Sequence, residues 1–204
     1  MATFVSDNFD TIGTADIFDR TPVASTIGAK WRRQSGRAFN GDGSGRVKSG
    51  NDGSQASNDT GASDLDITVD VTFVGSVSRF SVGARANSSF NPTDQSAYSV
   101  WNTDASNIRL SWFSSTDVRT DYAAVPAGIT FVADTVYTLR LLISGTSIKF
   151  FINGVERISQ TDANVPSRPH ATLGGRSIGG NYADTRYDNF VVSSVGGAPA
   201  DTEP

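Results

Sequence analysis

A chain of 204 residues with 37% hydrophobic and 19% charged side chains has room for one domain with a full core, and its 12 phenylalanines and 3 tryptophans exclude a disordered polypeptide. The absence of cysteine excludes disulfides, thiol catalysis and zinc–thiolate sites, and a single histidine excludes a multi-histidine metal site. A formal net charge of −4 argues against nucleic acid as a partner, no run reaches the roughly 18 apolar residues of a membrane helix, and the opening MATFVSDNFD lacks the basic and apolar regions of a secretory signal.

Short alternating runs broken by turn residues recur along the chain, the pattern of half-buried antiparallel strands. Residues 3–9 and 30–33 are the first two. Residues 40–63 carry few large apolar side chains and are rich in Gly, Ser, Asn and Asp, which predicts a long exposed loop. The clearest strand follows at 66–73, where Ile67, Val69, Val71 and Phe73 alternate with Asp and Thr. Strands are predicted next at 79–86, 97–103 and 107–113, the last two joined by Asp104-Ala105-Ser106. Residues 136–144 run through Gly145-Thr146 into 148–152, and Asn153-Gly154 then turns into 155–159. Asn-Gly between apolar runs is a strong hairpin signal because both residues tolerate positive φ. His170 follows Pro169 in a predicted loop, and 171–175 and 186–195 are the closing strands.

No stretch has a capped 3.6-residue apolar period, so very little helix is expected. A dozen or so strands in one domain imply two stacked antiparallel sheets, an all-β sandwich over residues 1–195 with a loose tail at 196–204. Trp31, Trp112, Phe73, Phe80, Phe150 and Tyr137 are expected in its core.

The order of several short motifs carries a family resemblance. Asp7-Asn8-Phe9 opens the chain, and Asp19-Arg20-Thr21-Pro22 precedes Trp31. Val82-Gly83-Ala84-Arg85 and Tyr98 lie in the middle, followed by Tyr137-Thr138-Leu139-Arg140-Leu141, Ile152-Asn153-Gly154 and Ser159-Gln160-Thr161-Asp162. Arg186-Tyr187-Asp188-Asn189-Phe190-Val191-Val192 closes the series. This order resembles the laminin-G-like branch of the concanavalin A-like lectin/glucanase jelly rolls, above all the stand-alone forms found among bacteriophage structural proteins. The resemblance implies a jelly-roll sandwich and leaves the activity open, because that fold hosts lectins, glucanases and inert spacers.

Three candidate sites follow. Glucanases of the resembled family use a Glu-x-Asp-x-x-Glu strand, but this chain has only Glu156 and Glu203, and Asp64-x-Asp66-x-x-x-Asp70 reads equally well as a solvated face. No Gly-x-Ser-x-Gly elbow is present either, so no catalytic residue is assigned and the protein is read as non-enzymatic. The resemblance further implies a structural calcium where first and last strands meet, with Asp7 and Asp188 as its carboxylates; the alternative is that both are edge-strand charges. Parity sends Phe80, Val82, Ala84, Tyr98, Val100, Ile108, Leu110 and Trp112 inward and Arg85, Trp101, Arg109 and Phe113 outward, a tryptophan between arginines that suits stacking on a sugar or contact with a protein. Leu142 and Phe151, on the opposite side of their strands from the core, are an expected contact surface.

Two functions remain at this stage. The first is a virion structural protein, a capsid decoration or tail-associated module made in the host cytoplasm, which contacts other virion proteins and itself as a homo-oligomer. The second is a carbohydrate-binding, lectin-like module for glycan or host-surface attachment.

Overall fold

The computed structural model describes residues 2–35, 39–49, 55–87, 96–116, 118–165, 167–174 and 184–195; the predicted tail at 196–204 lies outside them. The strands are β1 (Thr3–Asp7), β2 (Ala24–Ser25), β3 (Arg32–Ser35), β4 (Phe39–Gly41), β5 (Val47–Ser49), β6 (Gln55–Asp59), β7 (Leu65–Phe73), β8 (Ser81–Ala86) and β9 (Ala97–Asn102). They continue as β10 (Asn107–Phe113), β11 (Arg119–Asp121), β12 (Val125–Pro126), β13 (Val136–Ser144), β14 (Ser147–Ile152), β15 (Val155–Thr161), β16 (His170–Leu173) and β17 (Thr185–Ser194). No helix occurs among the described residues. The first sheet runs β15-β14-β13-β7-β17-β1-β2, with β5 on β17 and β4 on β5; the second runs β11-β10-β9-β8-β16-β6-β3, with β12 on β10. Every pairing is antiparallel, and strands distant in sequence lie side by side, as in a jelly roll.

Alternation builds the space between the sheets. In β7, Ile67, Val69, Val71 and Phe73 are fully buried while Thr68, Asp70 and Thr72 are half-covered. The facing sheet contributes Phe80, Val82, Ala84, Tyr98, Val100, Ile108 and Leu110, all buried as parity predicts. Phe73, Phe80, Phe131, Tyr137 and Phe150 form an aromatic cluster, with Phe131 edge-on to Phe73, Phe80 and Tyr137 at 5.8, 5.5 and 5.0 Å. Burying each such ring contributes roughly 2–3 kcal/mol. Trp31 packs between Phe9 and Phe190 at 5.8 and 5.1 Å. At the Asn153-Gly154 turn both residues take positive φ, 49° and 79°, as a two-residue hairpin of this hand requires.

Three expectations need correction. Trp112 points to the core side but is only half-buried, because it lies at the end of β10, where the three-residue β11 is its neighbour. The predicted loop at 40–63 contains β5 and β6, and β6 lies inside the second sheet between β16 and β3. Its polar side chains Gln55, Ser57 and Asn58 are buried, which composition alone disguises; Gln55 Nε2 donates to Thr172 Oγ1 (3.1 Å) and Asn58 Nδ2 to the Ala29 carbonyl (3.2 Å). His170 is not in a loop but opens β16 opposite Asp59, and burial lowers its pKa against the opposing effect of that carboxylate.

The second candidate site, Asp7 with Asp188, does not fit a calcium ion. The Asp7 carboxylate is buried and accepts from Arg20 Nη1 and Nη2 (both 3.0 Å), Trp31 Nε1 (2.9 Å) and the Phe9 amide (3.1 Å). Both oxygens are therefore committed to N–H donors. Asp188 lies two positions from Phe190, the residue paired with Asp7, and its carboxyl is raised by burial and by Asp10 and Asp70 nearby. Among the described residues no group of three or more His, Asp or Glu side chains is arranged to hold a metal. Asp7 instead pins the segment carrying Arg20 and Trp31 to β1. The Asp7→Ala variant is expected to lose about 3–5 kcal/mol of unfolding free energy, because it leaves the Arg20 guanidinium and the Trp31 indole N–H unpaired. Wild-type melting temperatures in calcium and in chelator should coincide; calorimetry checks both.

Candidate functional site

The outward face of the second sheet holds three of the four side chains expected there. Trp101, Arg109 and Phe113 do project away from the core, and Trp101 with Phe113 forms a small apolar cluster of its own. Neither ring is available to a ligand: Trp101 is 4% exposed and Phe113 2%. The guanidiniums of Arg79, Arg109 and Arg119 lie 5.0, 5.7 and 5.4 Å from the Trp101 ring centroid. Trp101 Nε1 donates to Ser111 Oγ (2.9 Å), which donates to Asp121 (2.7 Å), and Arg109 and Arg119 pair with the same carboxylate at 2.8 and 3.0 Å. The cluster is closed over by its own arginines and Asp121, which corrects the open platform expected for it.

Arg85 is elsewhere. Its φ of 52° breaks the strand alternation, and its buried side chain reaches the end of the first sheet. There Nε donates to the Ser63 carbonyl (3.2 Å), and Nη2 to Asp64 (2.9 Å) and the Gly145 carbonyl (2.6 Å). Leu142 and Phe151 do lie on the outer face of the first sheet, half-buried, with the Arg140 guanidinium 5.3 Å over the Phe151 ring and held by both oxygens of Asp66 at 2.7 and 2.6 Å.

A cleft that sequence reasoning did not find opens along one side of the sandwich, where the margins of the two sheets approach each other. One wall is the segment from β11 to β12, which leaves β10 at Tyr122 and returns at Val125; the other is β15. Leu110, Val125 and Ile158 supply the apolar lining, and Tyr122, Arg157, Ser159 and Gln160 the polar groups, around about 390 Å³. Gln160 Nε2 donates to the Thr161 carbonyl (3.1 Å), and its Oε1 makes no bond within the described residues.

Asp162, directly after β15, sets this geometry. Tyr98, from the interior of β9, and Tyr122, from the cleft wall, both donate their hydroxyls to its carboxylate. The Asn164 amide and Nδ2 add two bonds of 2.7 Å, and the Tyr98 hydroxyl accepts from the Val165 amide (3.2 Å). Burial alone would raise the Asp162 carboxyl, but the bonds from Tyr122, Tyr98 and Asn164 outweigh it and hold the group below the ordinary carboxylate value. Burial and the bond to Asp162 push the Tyr122 hydroxyl up to about 12, and the same causes raise Tyr98 further. No linear motif announces this cleft: its residues come from three strands and a connection separated by up to fifty positions, and only closure of the sandwich joins them.

No protein-family model matches the chain, and no curated protein matches it in sequence. Solved structures match its shape. The fold is a concanavalin A/galectin-like jelly-roll sandwich. The carbohydrate-binding module CBM66 from Bacillus subtilis aligns with a TM-score of 0.58 at 13% identity, over 80% of this chain and 95% of that one. The Bacillus licheniformis beta-glucanase gives 0.56 at 12%, over 91% and 99%. A Bacillus subtilis protein of unknown function with a galectin-like fold gives 0.60 at 12%, over 95% and 96%. At such identities the jelly roll shares its architecture with binding modules and enzymes alike.

The Asp162 network makes stability pH-dependent at both ends. Its carboxyl is lower in the folded chain than in the unfolded one, so its contribution is full above the ordinary value of 3.8 and fades as pH falls through the folded value. Tyr122 is raised from 10.0 to about 12, so its contribution is full below pH 10 and is lost as pH rises through about 12. In denaturant titrations Asp162→Ala should lose about 2–5 kcal/mol at neutral pH, by leaving two hydroxyls without their acceptor, and show a flatter acid limb; Tyr122→Phe should flatten the alkaline limb.

Proposed function

We propose that this protein is a non-enzymatic carbohydrate-binding module and that the cleft between the β11–β12 segment and β15 is its saccharide site. The observation that carries the reading is the cleft itself. A saccharide ring presents an apolar face and a rim of hydroxyls, and the cleft offers an apolar lining with a tyrosine ring, a guanidinium, an amide and a hydroxyl converging on it. Its 390 Å³ falls within the roughly 300–1,000 Å³ of small-ligand pockets. The jelly-roll likeness to a carbohydrate-binding module supports the reading at the level of architecture.

The non-enzymatic half of the proposal rests on the carboxylates. Glycoside hydrolysis uses two carboxyl groups about 5–9.5 Å apart, one of them able to give up a proton. Beside the cleft, Asp162 already accepts four hydrogen bonds and is held ionised, and Glu156 is paired with Lys149 Nζ at 2.9 Å. The competing virion reading, with capsid or tail proteins and further copies of the chain as partners, gains no support from the solved structures that share the fold.

A glycan array followed by calorimetric titration tests the proposal. At least one saccharide should bind, and Gln160→Ala, a half-exposed change in the cleft wall, should weaken it about tenfold while leaving the melting temperature within about a degree of wild type. Trp101→Ala should do the opposite, lowering stability by about 3–5 kcal/mol while sparing the cleft. A silent array with folded protein overturns the reading, and so does saccharide binding that Gln160→Ala leaves unchanged.

A further inference from the structure

Among the described residues most arginine side chains are paired with carboxylates. Arg20 meets Asp7, Arg32 Asp19, Arg85 Asp64, Arg109 and Arg119 Asp121, Arg140 Asp66, and Arg46 and Arg186 share Asp42. Arg157 stands apart. Among the described residues it has no ion pair, and its Nε is buried with no acceptor. The two carboxylates closest to it along the chain are committed elsewhere: Glu156 to Lys149, and Asp162 to two tyrosines and Asn164. A buried guanidinium N–H without a partner is destabilising, the more so because the group is charged.

The position of this guanidinium is specified by its surroundings. It lies flat against Gly128, where a Cβ would fall 2.0 Å from Nη1, 2.4 Å from Cζ and 2.9 Å from Nη2. Gly128 also has a φ of +71°, so the backbone at that position favours glycine, and a Cβ there would push the guanidinium aside. The notch leaves Arg157 at the cleft, alongside Ser159 and Gln160 of the same strand. A planar, permanently charged fork in a half-enclosed cleft with no internal counter-charge is suited to bidentate recognition of a carboxylate.

We infer that the ligand of this cleft is an acidic saccharide, a uronate or another sugar bearing a carboxylate, and that Arg157 is the residue that receives its anionic group. This rests on the reading of the cleft as a saccharide site. The carboxylate supplies the counter-charge that the guanidinium lacks, while the ring hydroxyls meet Ser159 and Gln160. The chain as a whole carries a net charge of −4, so the attraction is local to the cleft and does not arise from a basic surface.

The test titrates the full-length protein calorimetrically with oligomers of galacturonate, glucuronate and mannuronate, each beside its carboxyl-reduced neutral counterpart. The expected result is that at least one acidic oligomer binds about tenfold or more tightly than its neutral counterpart. Its affinity should fall as sodium chloride rises from about 50 to about 500 mM. Arg157→Gln should abolish the acid preference, Arg157→Lys should keep part of it, and Gly128→Ala should diminish it by displacing the guanidinium; melting curves establish that each variant is folded. Equal binding of acidic and neutral forms overturns the inference and leaves the saccharide cleft standing. Acid-selective binding that survives Arg157→Gln overturns the assignment to Arg157. Binding of no saccharide on the wider array overturns the cleft reading and this inference with it.

Discussion

One buried carboxylate holds the open side of this sandwich together. Asp162 follows the last residue of an edge strand of the first sheet, and the two hydroxyls it accepts belong to the second, one from the interior of β9 and one from the connection beyond β11. The same end of the molecule carries a second tie between the layers, Arg85 of β8 to Asp64 and the Gly145 carbonyl at the β13–β14 turn. Hydrophobic burial brings two sheets together but is indifferent to small sliding of one over the other. Directional bonds from fixed tyrosine and arginine side chains are not, and they fix the relation of Tyr122 to β15 that shapes the cleft.

The parity of apolar residues made the layers legible. Alternation in 66–73, 97–103 and 107–113 assigned the inward side chains correctly, and Asn153-Gly154 marked its hairpin because left-handed backbone has so few residue solutions. Parity fails where the backbone leaves the regular strand, as at Arg85 with its positive φ. It also reports direction and not exposure: Trp101 and Phe113 face away from the core and are nonetheless sealed. β6 was unreadable for a different reason. Much of its buried surface is polar, and the partners of its amide donors, Thr172 and the Ala29 carbonyl, lie far along the chain. The cleft shares that difficulty, since Tyr122 and Gln160 become neighbours only through tertiary closure.

Charge is distributed to the same end. Most guanidiniums neutralise an aspartate at the margins of the sheets, where each pair replaces solvent around a long side chain and contributes little to net stability. Removing a partner from the buried pairs costs far more, which makes the committed arginines structural and leaves a free one as the informative exception. Arg157 has a glycine notch to lie in and no carboxylate to lie against, a combination that none of the paired arginines shows.

The antiparallel pairing of β1 with β17 has a mechanical consequence. Ala2 donates through its amide to Ser194 Oγ and accepts from the Ser194 amide, so the two ends of the described fold leave from one corner. Force applied across those ends would load the β1–β17 ladder one rung at a time, as a zipper opens, and not all rungs together as in shear. Tethered at both ends and pulled, this domain would yield first by peeling β1 from β17, at low force, and would draw Asp7 away from its partner Phe190 as the ladder opened.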